Sequence, residues 1–189
     1  MSATAALEWV GRLTGLATAT LATQAEALVA AGGHADAPVF LPCLNGIRTP
    51  LNRPEAQGRI EGLHPGVKPA ALGYATMEGV ALQFEACVAA QRAVGVRPKR
   101  FLAVGGGTRS ALWTRLLATV LDQPVSLPEG ADMAIPAGAA RLALVAAGHD
   151  VAMLSRPRDI HTTVDPDPVL ARILAPRTAR FGMLLAAGA

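Results

Sequence analysis

Residues 100–113 read Arg-Phe-Leu-Ala-Val-Gly-Gly-Gly-Thr-Arg-Ser-Ala-Leu-Trp. The apolar run 101–104 has the length and composition of a strand buried on both faces, and we predict a central strand there. The three glycines after it can adopt positive φ angles or let a ligand approach the backbone closely. Cap-type residues then precede leucines at helical spacing from Ala111 onward. The stretch therefore predicts a strand, a glycine turn and the N-terminus of a helix.

This arrangement is suited to an anion. The first backbone N–H groups of a helix have no partner within the helix, and the helix dipole favours negative charge at that end. We predict that a phosphate binds at this turn. The alternative is a tight turn that binds no ligand. A dinucleotide-binding turn is a further alternative, because Glu129 follows about twenty residues later. That motif requires Gly-x-Gly-x-x-Gly, however, and Ser110 occupies the place of its third glycine.

Composition indicates a globular chain. It has 189 residues, of which 51% are hydrophobic and 16% are charged, enough for one domain with its own core. Charged residues interrupt the longest apolar runs, which fall short of the ~18 residues that a membrane span needs. The sequence does not start with a basic segment followed by an apolar block. We therefore expect no signal peptide, no membrane partner and a cytoplasmic location.

Charge and metal-binding residues argue against several functions. The net charge of +3 comes from fifteen arginines and two lysines, scattered without interleaved aromatic residues, so we expect no nucleic-acid partner. Cys43 and Cys87 form no CxxC motif and are predicted to be buried thiols in a reducing compartment. The four histidines lack metal-ligand spacing, so no metal site is predicted from side chains alone.

Helix and strand signals alternate along the first part of the chain. Residues 3–31 predict two helices separated by Gly15, and the strand-like run 39–44 contains Pro42, which indicates an irregular or edge strand. The apolar face of the first helix consists of Leu7, Val10 and Leu13. Residues 45–69 predict a long ordered loop that lines a cleft. The arginines of this loop are Arg48, Arg53 and Arg59.

The longest predicted helix is 72–94, and Gly79 inside it indicates close backbone packing. After the glycine stretch we predict a strand at 125–127, a loop at 128–136, a small-residue helix at 137–147, a tail at 150–168, and a last helix from 169 to 174 or on to 185. The order of these elements predicts α/β layering.

Two stretches before the glycine turn resemble one family. Residues 58–63 and 72–78 look like the second signature of the FGGY carbohydrate kinases, with Ala71 where that signature has a polar residue. Residues 40–50 resemble the family block Phe-Leu-Pro-Tyr-Leu-x-Gly-Glu-Arg-x-Pro, and Ile47 replaces its glutamate.

Two later stretches fit the same family. Residues 105–113 are similar to its nucleotide-binding glycine turn, and residues 137–143 resemble the small-residue helix that closes the ATP site. The resemblance runs from about residue 5 to the end, in the family's order and spacing. Within the family it is greatest to kinases of a pentulose such as D-xylulose.

The resemblance implies an α/β chain with the ribonuclease H-like, actin-like ATPase fold of the family's C-terminal domain. Family members bind sugar and ATP between two domains, and this chain matches only the later part of the second. We expect 1–189 to form a single partial domain that lacks the first strands of its sheet. The N-terminal domain, with its sugar site and catalytic aspartate, is outside the match. An unpaired sheet edge and a sticky, marginally stable chain are therefore expected.

The resemblance also implies the ligand and its contacts. ATP with Mg²⁺ is the expected cofactor, and the sugar is expected to bind only through the missing domain. Glu78 is interpreted as a surface residue or an arginine partner, and we expect no catalytic residue, a chain inactive alone, and either a homodimer or a separate N-terminal half as partner. A stand-alone, non-catalytic adenine-nucleotide-binding module is the alternative. The implied nucleotide contacts are Gly105, Gly106, Gly107, Thr108, Arg109, Ser110 and Gly138.

Overall fold

The computed structural model describes residues 3–154 and 158–187. The helices are α1 (Ala3–Thr14), α2 (Thr18–Ala30), α3 (Pro69–Ala93), α4 (Ala111–Leu121), α5 (Ala134–Ala146), α6 (Val151–Leu154) and α7 (Pro168–Ala187). The strands are β1 (Val39–Leu41), β2 (Arg59–Glu61), β3 (Phe101–Leu102), β4 (Val125–Pro128) and β5 (Ile160–Val164), and 3₁₀ turns form at Gly106–Arg109 and Ala131–Met133. In the described ranges, no helix combines the length and apolar character needed to cross a membrane.

Helix α3 is the centre of the core, and α1, α2, α4 and β1 pack around it. A Cβ on Gly79 would collide with the carbonyl oxygen of Phe40, so the predicted close backbone packing is confirmed. The two predicted N-terminal helices are also confirmed, with Leu7 and Val10 buried. Leu13 was wrongly assigned to the same face, because its side chain is 62% exposed.

Strands β1 and β2 form an antiparallel pair in which Val39 lies opposite Glu61. All of β1 is buried, which fits its apolar sequence. Strand β2 was missed in the predicted 45–69 loop because Arg59–Glu61 is a polar, partly exposed segment without a strand pattern. The rest of that loop is held by backbone hydrogen bonds between Ile47 and Arg53.

The second sheet has the order β3-β4-β5, with β3 parallel and β5 antiparallel to β4. The prediction of a central buried strand at 101–104 is wrong: β3 has two residues, and Leu102 and Val104 are about half exposed. Among the described residues only β4 pairs with β3, so β3 forms an open edge. The predicted 150–168 tail is also wrong, because it contains α6 and β5. The strand Ile160–Val164 is largely exposed and carries no buried apolar run.

Helix α7 continues through Pro176 as a single helix. Of the two predicted extents, the longer one, to residue 185, is confirmed. Its Arg177 is buried against α3, where its Nε and Nη2 atoms donate to both Glu78 carboxylate oxygens at 2.5 and 2.6 Å. Arg177 also donates to the carbonyl oxygens of Ala37 and Pro38 at 2.6 and 2.9 Å. The prediction of Glu78 as an arginine partner is confirmed. Burial raises the pKa of the Glu78 carboxyl, and the Arg177 guanidinium opposes that shift.

Candidate functional site

The glycine turn follows β3 and leads into α4, in the predicted order. Gly105 has a φ of 97°, a conformation that favours glycine, and its N–H donates to the carbonyl oxygen of Ala131 at 2.8 Å. The hydroxyl of Thr108 donates to the carbonyl oxygen of Gly105 at 2.8 Å. The first bond joins the turn to the segment that leads into α5, and the second closes the turn itself.

The N-terminus of α4 holds a carboxylate of the chain itself. Ser110 is the N-cap, and its Oγ accepts from the Trp113 N–H at 3.3 Å. Glu26 Oε1, from α2, accepts from Ser110 Oγ at 3.1 Å and from the Leu112 N–H at 3.3 Å. Sequence reasoning predicted an anion here but missed Glu26, which lies 84 positions before Ser110 in a helix of ordinary pattern. The negative charge favoured at this helix end is therefore already supplied.

Arg109 is engaged on the other side of the turn. Its Nε and Nη2 atoms donate to Asp132 Oδ2 at 3.0 and 2.9 Å, and its side chain is 70% exposed. The arginine thus links the glycine turn to the Ala131–Met133 turn, and its charge is partly compensated before any ligand binds.

A pocket of about 510 Å³ lies between α1, α2 and the glycine turn. Of the predicted contacts it is lined by Gly106, Gly107, Arg109 and Ser110. A Cβ on Gly106 would meet nothing within 4 Å, whereas a Cβ on Gly107 would lie 3.3 Å from the Trp113 ring. The Trp113 ring therefore supports the turn, and Gly106 leaves room for a ligand.

The other predicted contacts lie outside this pocket's lining. Gly105 and Thr108 stabilise the turn through the hydrogen bonds described above. Gly138 lies in α5, where a Cβ on it would also meet nothing within 4 Å. Helix α5 begins at Ala134, three residues earlier than predicted, and has no buried residue.

A larger cavity of about 880 Å³ lies between α1, the 42–49 segment and α3. Arg48 lines it, as predicted for the loop, but Arg53 and Arg59 do not.

Cys43 and Cys87 are free thiols; the first is buried, and the second is partly exposed, contrary to prediction. Burial raises the pKa of Cys43 to about 11. No group of three His, Cys, Asp or Glu side chains in the described ranges could hold a metal ion.

Comparison with known proteins identifies the family. Residues 1–147 match the C-terminal domain of the FGGY family of carbohydrate kinases. The chain belongs to this family. It is 37% identical over 158 residues to the xylulose kinase of Escherichia coli K12, covering 82% of this chain and 31% of that protein. It is 35% identical over 191 residues to the xylulose kinase of Klebsiella pneumoniae, covering 97% of this chain and 38% of that protein.

Solved structures agree with this assignment. A xylulose kinase from Rhodospirillum rubrum matches with a TM-score of 0.73 at 32% identity, covering 97% of this chain and 37% of that one. A Brucella ovis protein described as a xyloylose kinase matches with a TM-score of 0.77 at 31% identity, covering 97% and 38%. The fold is therefore the α/β, ribonuclease H-like, actin-like ATPase fold, present as part of a C-terminal domain. The chain spans less than two fifths of these relatives' length.

Proposed function

We propose that this chain is the nucleotide-binding part of an ATP-dependent kinase that phosphorylates a pentulose such as D-xylulose. The observation that carries this proposal is the pocket beside Gly106, in a chain of the FGGY family whose curated relatives include xylulose kinases. Its volume of about 510 Å³ is in the range of small-molecule sites. A cytoplasmic location follows from the same assignment and remains a proposal.

The residues present fit a nucleotide. Gly106 offers backbone that a ligand can approach, and Gly107, Arg109 and Ser110 complete that side of the pocket. Gly105 and Thr108 hold the turn in place, and we assign Gly138 to the wall of α5 that the adenine approaches. Mg²⁺ would arrive on the phosphates, where it neutralises the charge of the transferred group.

The sugar and the catalytic base are assigned to polypeptide outside this chain. Glu78 is the carboxylate in the family signature, but both of its oxygens bind Arg177 and its side chain is fully buried. It therefore cannot accept a proton from a sugar hydroxyl. Because general base catalysis contributes about 10²–10⁴-fold, we expect the chain alone to be inactive as a sugar kinase.

The glycine turn is tested with Gly106→Val. The added side chain fills open space, so it should block the nucleotide without disturbing the fold. We expect at least a tenfold loss of ADP affinity by titration calorimetry, with an unchanged circular dichroism spectrum. Gly182→Val is the matched control, because Gly182 is also surrounded by open space and lies in α7. Gly107→Val is unsuitable because its side chain would strike Trp113.

Undiminished ADP binding by a folded Gly106→Val variant would remove the glycine turn from the site. The second candidate function is a non-catalytic nucleotide-binding module. It is favoured by the pairing of both Glu78 oxygens with Arg177, which leaves this family-signature carboxylate without a role in proton transfer. Mixing the chain with the N-terminal part of a xylulose kinase separates the two. Phosphorylation of D-xylulose only in the mixture supports the kinase, and nucleotide binding without transfer in either case supports the module.

A further inference from the structure

The cavity between α1, the 42–49 segment and α3 is lined by positive charge without a compensating acid. Arg12 and Arg48 line it, and none of the described residues in its lining is acidic. Both arginines are exposed, and neither side chain forms a hydrogen bond or an ion pair with the described part of the chain. An anion that enters this cavity would therefore meet two guanidinium groups that no carboxylate neutralises.

The two arginines belong to ordered elements on different walls of the cavity. Arg12 lies in the last turn of α1. Backbone hydrogen bonds hold Arg48 in its loop: its carbonyl oxygen accepts from the Asn52 N–H at 2.6 Å. The Ile47 N–H just before it donates to the Arg53 carbonyl oxygen at 2.8 Å. Because the planar guanidinium group matches the oxygens of a phosphate, a phosphate group is the anion that this pair of side chains suits best.

The uncharged groups of the lining suit a hydroxylated ligand. Asn45, Thr49 and Gln91 are exposed, and their amide and hydroxyl groups can both donate to and accept from ligand hydroxyls. Trp9 is partly exposed and Phe84 is 40% exposed, so aromatic surface is also accessible. Small-molecule sites combine such surface with a few polar groups, and the volume of about 880 Å³ is in their range.

We propose that this cavity binds a small phosphorylated sugar, with Arg12 and Arg48 on its phosphate group. The cavity and the glycine-turn pocket lie on different faces of α1. Trp9 and Arg12 line the cavity, whereas Thr4 and Glu8 line the pocket. The site is therefore separate from the proposed nucleotide site, and the inference does not rest on the proposed function.

The test is calorimetric titration with D-ribose 5-phosphate, D-ribose and inorganic phosphate. We expect wild type to bind one ribose 5-phosphate with a Kd below about 1 mM, and the other two compounds at least about tenfold more weakly. Arg48→Gln and Arg12→Gln should each weaken ribose 5-phosphate by about tenfold or more, because each removes a charged donor. Arg53→Gln is the matched control: it removes the same charge from the same loop, but Arg53 does not line the cavity, so the affinity should stay at the wild-type value.

Several outcomes would overturn the inference. Equal losses in Arg48→Gln and Arg53→Gln would mean that the ligand responds only to surface charge, and wild-type affinity in both Arg12→Gln and Arg48→Gln would place it elsewhere. Inorganic phosphate that binds as tightly as ribose 5-phosphate would remove the sugar from the assignment. Gly106→Val should keep the wild-type affinity for ribose 5-phosphate, and a loss there would place the ligand in the glycine-turn pocket. Wild type that binds ADP but not ribose 5-phosphate would overturn this inference and leave the proposed function standing.

Discussion

Two regions of this molecule differ in how completely their groups are partnered. The clamped region consists of α3, α7 and the segment before β1, joined by Arg177 and Glu78. Both side chains of this ion pair are buried, and each oxygen of Glu78 has a donor. The open region consists of β3, the glycine turn and α5, where no residue of α5 is buried and Leu102 is 47% exposed. Long-range pairing therefore holds the first region in place, while the glycine turn of the second region lines the proposed ligand site.

The open region carries apolar surface that nothing in the described chain covers. Val104, Ile135 and Leu142 are 51%, 72% and 72% exposed, and β3 has an open edge. Unpaired edges and exposed apolar patches favour association with other chains. Strand β3 is an edge strand among the described residues. The expected loss of neighbouring strands and the expected stickiness of the isolated chain stay predictions.

The largest expected effect comes from breaking the clamp with Arg177→Ala. This change leaves Glu78 as a buried charge without its cation, and we expect a loss of about 3–5 kcal/mol in the free energy of unfolding, measured in urea. Arg180→Ala is the matched control one turn further along α7. Arg180 pairs with Glu61 at the surface, with both side chains more than 40% exposed, so its loss should cost at most about 1 kcal/mol.

If Arg177→Ala fails to fold, the double variant Glu78→Leu/Arg177→Met tests the contribution of the clamp instead. Removing both charges together should restore part of the stability, because apolar side chains can replace a buried ion pair. The recovery stays incomplete because the carbonyl oxygens of Ala37 and Pro38 lose the donor that Arg177 supplies. Equal losses for Arg177→Ala and Arg180→Ala would show that the clamp contributes nothing beyond a surface pair.

The second prediction compares one helix glycine from each region. Gly79→Ala places a methyl group against the Phe40 carbonyl oxygen and should destabilise the fold by about 1–3 kcal/mol. Gly138→Ala places the same group in open space and should stabilise α5 by about 0.5–1 kcal/mol. Urea denaturation and amide hydrogen exchange of α5 measure the two effects. The predicted contrast is contradicted if both substitutions change the free energy of unfolding in the same direction.

The helices and turns that depend on a local pattern of residues were predicted from the sequence. Apolar spacing predicted α1, α2 and α3, and the glycine inside α3 correctly indicated the contact with β1. It also predicted the order of strand, glycine turn and helix around Gly105. Each of these features is encoded in one contiguous stretch of the chain, so a single sequence reveals them.

The sequence could not predict features made by distant partners. Arg177 and Glu78 are 99 positions apart, and Glu26 and Ser110 are 84 apart, so neither pairing leaves a local signal. The burial of 101–104 was overestimated because an apolar run does not reveal whether neighbouring strands are present. Strand Ile160–Val164 was missed for the opposite reason, since an exposed strand needs no apolar run.

The third and smallest prediction concerns a histidine of the clamped region that has no partner. His34 is 4% exposed, its ring lies 5.4 Å from that of Tyr74, and neither ring nitrogen has a hydrogen-bond partner in the described chain. Burial lowers the pKa of His34 below its usual 6.5, and the charges of Arg177 and Arg115 lower it further. His34 therefore binds a proton less readily in the folded state than in the unfolded state.

The sign of the pH effect follows from this difference. Between the lowered pKa and 6.5 the unfolded chain binds more protons, so the free energy of unfolding should fall as the pH drops from about 7.5 towards 5. In His34→Leu this contribution should vanish, so the stability difference between wild type and variant should depend on pH. His161→Gln, a change on the exposed strand β5, serves as the control variant. Urea denaturation at several pH values gives the measurement. Parallel profiles for wild type and His34→Leu would mean that His34 is solvated or paired in solution, and that the clamped region tolerates its charge.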